Sequence, residues 1–415
     1  MTGYIQNINT KIPFTDKVVN IELQGKSLIL TGGNGCGKTN FLNHLLEYLT
    51  ERVINRKNAD PLDLHRRINS LSQSMAQYGA SHESYEGWKR ALEIANDKLF
   101  ELENPILSLS NLDNYVVNYQ SDKALLTMFK AVREAKIAES TSALSTSNLA
   151  DQVTNKRRGS SAGSLFEQYL VSYKTVQAYA ESPSIDNDPA LASKVKSWFE
   201  FLQDNLRYLF EDETLKLRFD SKLQTFFIQQ EHKEEFRFQK LSSGFSSILA
   251  VYADLVTTIQ LTEITPDEIE GVVFIDEIDA HLHVSLQRKI FAFLTKSFPK
   301  IQFIVTTHSP FVVSSVSDAV IYDLSKLEQI DDLSMYSYES ILDGLFGVSS
   351  SSDLLNAKVK ELNEEATKLQ LDIGKVESLI SELRQSESKL DSESLYFLES
   401  AQLSVLKAKA KSTDV

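Results

Sequence analysis

Residues 32–39 read Gly32-Gly33-Asn34-Gly35-Cys36-Gly37-Lys38-Thr39, and four of the chain's 15 glycines stand within the first six of these positions. The spacing is G-x-x-x-x-G-K-[ST]. Glycines at these points let the backbone curl around a phosphate group with several N–H groups pointing inward. The context supports that use. Ser27-Leu28-Ile29-Leu30-Thr31 before the loop reads as a short buried strand, and Asn40–Leu49 after it has apolar positions at helical spacing. A strand, a glycine loop and a helix N-terminus together make an anion site. Lys38 is placed to reach the β- and γ-phosphates and the Thr39 hydroxyl to meet Mg²⁺. Gly32, Asn34, Gly35, Cys36, Gly37 and Asn40 complete the expected loop contacts. Cys36 serves as a small uncharged filler.

Outward from the loop, two further apolar runs end in chemistry. Val272-Val273-Phe274-Ile275 precedes Asp276-Glu277, which puts two acids at the C-terminal end of a buried strand, where parallel sheets hold their ligands. Asp276 is expected to hold Mg²⁺ through water, and Glu277 to polarise a water for in-line attack. One helix later (284–297), the run Ile301–Thr307 ends at His308-Ser309-Pro310, and His308 is expected to donate to a γ-phosphate. That is a βαβ unit. Lys240-Leu241-Ser242-Ser243-Gly244-Phe245 opens another helix with hydroxyls and free N–H groups, a second anion site. His281 and His283 follow the acids and suit either a dimer contact or a turn cap.

The rest of the 415 residues set bounds. There are 43 Lys+Arg against 57 Asp+Glu, a net charge of −14, which argues against a surface that grips nucleic acid everywhere. Sparse Gly and Pro (15 and 8) disfavour a turn-rich β sandwich, and a single cysteine excludes a disulfide framework or a Cys-based zinc site. No apolar run is long enough to span a bilayer and no signal peptide opens the chain, so the expected location is the cytoplasm, with no membrane partner. Helical patterns fill 61–103, 164–182 and 190–210, residues 111–119 read as a strand, and a polar tract at 139–164 carries Lys156-Arg157-Arg158. The tail steps four-three without a break through Leu355, Val359, Leu362, Ala366, Leu369, Ile373, Val376, Ile380 and Leu383. That pattern predicts a coiled-coil-like helix of roughly 40 Å.

The four motifs, in this order, resemble ABC-type ATPase heads of the branch related to Rad50, RecF and the overcoming-lysogenization-defect proteins. Their L-S-G-G-Q signature stands here as Leu241-Ser242-Ser243-Gly244-Phe245, and the Asp-Glu-x-x-x-His-Leu-His run from Asp276 is typical of the branch. The resemblance covers about half the chain. It implies an α/β P-loop NTPase fold of ABC type, ATP and Mg²⁺ as ligands, and head-to-tail dimers in which Ser242, Ser243 and Gly244 act in trans. The Q-loop glutamine, a nucleotide and metal contact, is assigned to Gln120. The expected organisation is a discontinuous head (1–60, 110–135 and 211–350), helical insertions (61–109 and 136–210) and a helical oligomerisation or docking tail (351–415).

Departures narrow the reading. About 105 residues follow Pro310, with no Toprim acidic cluster and no His-Asn-His motif, so no nuclease is expected within the chain. Compact heads of this kind resemble antiphage ATPases. The signature and Tyr336–Gly347 are most similar to the Septu family, PtuA, including retron-associated versions, with the PARIS ATPase second. The resemblance implies a regulatory ATPase that controls a separate nuclease, of His-Asn-His type first and Toprim type second, with nucleic acid met through that partner. The alternative is a DNA repair or segregation ATPase like Rad50 or RecF. That reading requires a basic groove, and His65-Arg66-Arg67 and Lys156-Arg157-Arg158 are the only compact basic clusters.

Overall fold

A computed structural model of the chain describes residues 3–55, 60–133, 137–145, 162–260, 268–316, 318–330, 333, 336, 338–346, 352–368, 372–387, 390 and 392–413. Lys156-Arg157-Arg158, Leu369 and parts of the Tyr336–Gly347 stretch lie outside these residues. The chain forms two compact units, residues 1–338 and 339–415.

The first unit opens with β1 (Ile5–Lys11) and β2 (Val18–Glu22), an antiparallel hairpin. Strand β3 (Ser27–Thr31) then delivers the glycine loop to α1 (Lys38–Leu49). Helices α2 (Pro61–Tyr78) and α3 (Tyr85–Glu103) follow as a helical pair, each with a single buried residue, Leu64 and Ala95. The short β4 (Leu107–Leu109) returns to pair with β1, so the residues just before 110 belong to the β1–β2 sheet and are not helical. Next come α4 (Leu112–Gln120) and β5 (Ala124–Phe129). Helices α5 (Phe166–Glu181) and α6 (Pro189–Phe210) precede the hairpin β6 (Lys216–Asp220) and β7 (Thr225–Gln229). Helix α7 (Ser243–Gln260) carries the signature at its start. Then follow β8 (Glu270–Ile275), α8 (Val284–Ser297), β9 (Ile301–Thr306), β10 (Ala319–Asp323) and β11 (Glu328–Ile330).

The main sheet has the order β11-β10-β3-β9-β8-β5, parallel except for β11. Its central strands are largely apolar because both faces are covered: β8 from Gly271 on and all of β9 are buried. One face packs on Phe41, Leu42 and Leu45 of α1 and, beyond them, on Ile8, Val19 and Ile21 of the small antiparallel sheet. Since β3, β9 and β8 are neighbours and parallel, the glycine loop, His308 and Asp276-Glu277 all emerge at one end of the sheet.

Two expectations are corrected. Residues 111–119 are not a strand: Asn111 caps α4 by accepting from the Asn114 N–H, and of the Tyr-Val-Val-Asn-Tyr run only Tyr115 is buried, donating to the Leu125 carbonyl at 2.7 Å. β-Propensity over so short a run lost to a cap and one anchor. The second unit is not one long coiled-coil-like helix either. It folds as α9 (Asp353–Ala366), α10 (Ile373–Arg384) and α11 (Ser392–Thr413). Val359, Leu362, Val376, Ile380 and Leu383 pack with Leu398, Ala401 and Val405 into one core. A four-three stripe is what a folded helix bundle requires as well as a coiled coil. The chain breaks the stripe where Thr367 ends α9 and the Asp372 side chain caps α10.

Candidate nucleotide site

The glycine loop turns because its sequence lets it. Gly37 is left-handed (φ 97°), and a Cβ there would sit 2.9 Å from Ile12 Cγ2, so no other residue fits without displacing the β1–β2 turn. Lys38 is buried and folds back over the loop, its Nζ donating to the carbonyls of Gly32 (2.9 Å) and Gly33 (3.1 Å). The Gly33 N–H donates to Ser325 Oγ at 2.8 Å, so the turn after β10 fixes the loop's entrance. Asn34, Gly35, Thr39 and Asn40 are exposed, and Cys36 is half-buried.

Asp276 sits at the focus. Its Oδ2 accepts from Thr39 Oγ1 at 2.8 Å and its Oδ1 from Thr306 Oγ1 at 2.7 Å, with only 5% of the residue exposed. A hydroxyl and a carboxylate form an all-oxygen pair suited to a hard cation. Among the described residues no cluster of three or more His, Cys, Asp or Glu is arranged to hold a metal. That set fits Mg²⁺, which takes one or two protein oxygens and fills its octahedron with water and phosphate. Glu277 follows in a left-handed conformation (φ 46°), its N–H donating to Thr306 Oγ1 at 2.7 Å. His308 emerges from the neighbouring strand between two fixed residues: Thr307 Oγ1 donates to Asp279 at 2.6 Å, and the Ser309 N–H donates to Thr307 Oγ1 at 2.9 Å. Burial, and next the positive charge of Lys38, hold the His308 imidazole below the usual histidine range, against the pull of Asp279, Glu277 and Asp276. The shift favours the uncharged imidazole.

The signature lies apart from this focus. Ser242, Ser243, Gly244 and Phe245 share a cavity of about 380 Å³ with His281 and His283, and no loop residue lines it. A Cβ on Gly244 would stand 3.3 Å from the His281 carbonyl. His283 caps α8, its Nδ1 accepting from the Ser285 N–H, while His281 is exposed and left-handed (φ 65°). Gln120 is not at the site. It ends α4 before β5 begins, at the end of the strands opposite to the glycine loop, because the 111–120 segment is a helix leading into the strand.

Two residues escaped the sequence reading. Arg133, just past β5, reaches the backbone of Asp276, Glu277 and Ile278. Recognising Ala124–Phe129 as the strand beside β8 was the only local signal for it. Phe14, at the tip of the β1–β2 turn, is 96% exposed with φ 63°, and its neighbour Ile12 is the residue against Gly37.

A glycine loop between a central parallel strand and its helix, with an Asp-Glu pair and a histidine from adjacent strands and a signature helix beyond, defines a P-loop head of ABC-ATPase type. The chain belongs to the family described as "AAA domain, putative AbiEii toxin, Type IV TA system", whose profile matches residues 77–314. It is similar to the retron Ec83 probable ATPase of Escherichia coli, 44% identical over 86 residues, covering 20% of this chain and 16% of that protein. It is also similar to a Septu protein PtuA of Bacillus thuringiensis, 36% identical over 107 residues, or 25% and 26% of the two chains. The matches thus span no more than about a quarter of these relatives' length. An SMC head domain from Thermotoga maritima superposes at 12% identity over 78% of this chain and 94% of that one, with a TM-score of 0.34.

Proposed function

We propose that this chain binds and slowly hydrolyses Mg·ATP as the regulatory subunit of an antiphage defence complex, in which two heads close on two nucleotides and a separate nuclease is the effector. The observation that carries the reading is Asp276 bridged between Thr39 and Thr306, with Glu277 next to it in a left-handed turn. In this reading the loop N–H groups and Lys38 bind the β- and γ-phosphates, and exposed Phe14 offers a flat apolar face to the purine. Mg²⁺ held by Thr39 and Asp276 would neutralise charge that develops on the phosphates. Glu277 orients the attacking water and takes its proton, and neutral His308 donates to the γ-phosphate.

The signature supports a dimer. Ser242 and Ser243 are exposed at the start of α7 and line a cavity remote from their own loop, as expected of donors that complete the site of another copy. The defence role rests on the named relatives, which are retron ATPases and Septu PtuA proteins. A His-Asn-His nuclease is the first choice for the partner and a Toprim nuclease the second. Glu277→Gln should retain ATP and roughly double in mass by light scattering, whereas Lys38→Ala should not. A Glu277→Gln chain whose mass ignores ATP would sink the sandwich, and failure to co-purify with an adjacently encoded nuclease would sink the partner.

A further inference from the structure

Arg133 is a largely buried cation with four carbonyl contacts, and the nucleotide chemistry above leaves it unused. It lies on the turn after β5, the edge strand that runs parallel to β8 in the register Phe129↔Ile275. Its Nη1 donates to the carbonyls of Lys130 (3.1 Å) and Asp276 (2.9 Å), and its Nη2 to those of Glu277 (3.0 Å) and Ile278 (2.9 Å). Both terminal nitrogens thus have both hydrogens engaged. The remaining Nε–H is buried and meets no acceptor among the described residues. Burial lowers the guanidinium to about 10, still far above neutral pH, while the Asp279, Asp276 and Glu277 carboxylates pull the other way. The side chain is therefore a fixed cation beneath three acids.

Three consecutive carbonyls directed at one guanidinium are not a feature of a regular strand end. They occur here because Glu277 leaves β8 in a left-handed conformation, which is strained for a residue with a Cβ and persists only where its surroundings impose it. The hydroxyl of Thr306 holds this residue by its N–H at 2.7 Å, and Arg133 holds it by its carbonyl. The two contacts come from the end of β9 and from the turn after β5, the strands on either side of β8. Lysine cannot reproduce the fork, since one ammonium does not span three carbonyls in a row.

We infer that Arg133 is a positioning residue for Glu277: its guanidinium fixes the backbone that aims the Glu277 carboxylate at the attacking water, while taking no part in nucleotide binding. This rests on the hydrolytic function proposed above. Binding belongs to the glycine loop and to Asp276, whose side chain is held separately by Thr39 and Thr306. Orientation of Glu277 belongs to the Arg133–Thr306 pair. Thr306 also holds the Asp276 carboxylate, whereas Arg133 meets Asp276 only at its carbonyl, so replacing Arg133 leaves the side-chain contacts of Asp276 in place and its kinetic consequence can be told apart from a loss of binding.

The test is turnover of Arg133→Lys and Arg133→Met in the full chain, beside the affinity of a fluorescent ATP analogue with Mg²⁺ and the melting temperature. A misaimed base should lower kcat by roughly 10- to 100-fold, leaving analogue affinity and KM within about twofold of wild type. The same substitutions made in a Glu277→Gln chain should change the residual rate by less than about twofold, because the group they position is already gone. Equal losses in the two backgrounds, or a tenfold weaker affinity, would make Arg133 a fold or binding residue and overturn the role. So would wild-type kcat in Arg133→Lys. A wild-type chain without turnover overturns the hydrolytic function itself and the role with it, which distinguishes the two failures.

Discussion

Asp276, Thr306 and Glu277 are tied by hydrogen bonds of 2.7 Å through a single hydroxyl, Thr306 Oγ1, which donates to Asp276 and accepts from the Glu277 N–H. One threonine on β9 thereby sets both acids of β8. His308, two residues further on, responds to the same neighbourhood through its charge. Its imidazole is held below the ordinary histidine value of about 6.5, first by burial and then by Lys38. The sign of the linkage follows. Above that ordinary value neither the folded nor the unfolded chain binds the proton, and no penalty arises. As pH falls below it, the unfolded chain takes up a proton that the folded chain resists, so stability declines until the folded value is passed. Melting temperature should therefore drop between pH 7.5 and 5.5, and His308→Gln should show a smaller drop. An identical pH dependence in that variant would remove His308 from the account.

At the scale of elements, close approach of backbones shapes the sheet as much as side-chain packing. Gly271 opens the buried part of β8 with φ 132°, and a Cβ there would fall 2.1 Å from the Leu125 carbonyl oxygen. Only glycine lets β5 and β8 pair at that point, and through β5 the position of Arg133 depends on it. The second unit shows the opposite economy, with packing by side chains alone. Leu362 of α9 is fully buried among Val376, Ile380, Leu383 and Leu398. Leu362→Ala should cost about 2–5 kcal/mol in that unit. Circular dichroism should show a helical transition at lower temperature, while ATP-analogue affinity below it stays at the wild-type level. An unshifted helical melt would mean that the bundle does not depend on this core. Heptad spacing located these residues but did not reveal that they fold back on one another, because a stripe specifies which face is apolar and not which helix covers it.

For the molecule as a whole, charge limits the choice of partner. A chain with a net charge of −14 meets the phosphate backbone against its own field, and DNA affinity would have to come from a local basic surface. Of the two basic clusters, His65-Arg66-Arg67 lies on exposed α2, where Arg66 pairs with Asp63 at 3.0 Å. Duplex DNA at about 150 mM salt should therefore leave ATP turnover unchanged within about twofold. A rise of fivefold or more that fades with added salt would favour a repair or segregation ATPase over the regulatory role. No helix among the described residues is long and apolar enough to cross a membrane.

The sequence by itself determined the loop, the Asp-Glu pair, the histidine and the signature. Each is a local pattern in which residue type and spacing carry the chemistry, and a buried strand before each acid or glycine run is written in its own apolar residues. Tertiary structure alone decided the rest. Thr306 and Arg133 act on Asp276 and Glu277 across 30 and 143 positions, a separation no local pattern encodes. Gln120 was misplaced because a nine-residue segment with mixed propensity takes its conformation from its cap and its one buried tyrosine. The tail became a bundle because burying an apolar stripe lowers free energy equally well against the chain's own helices as against another copy's.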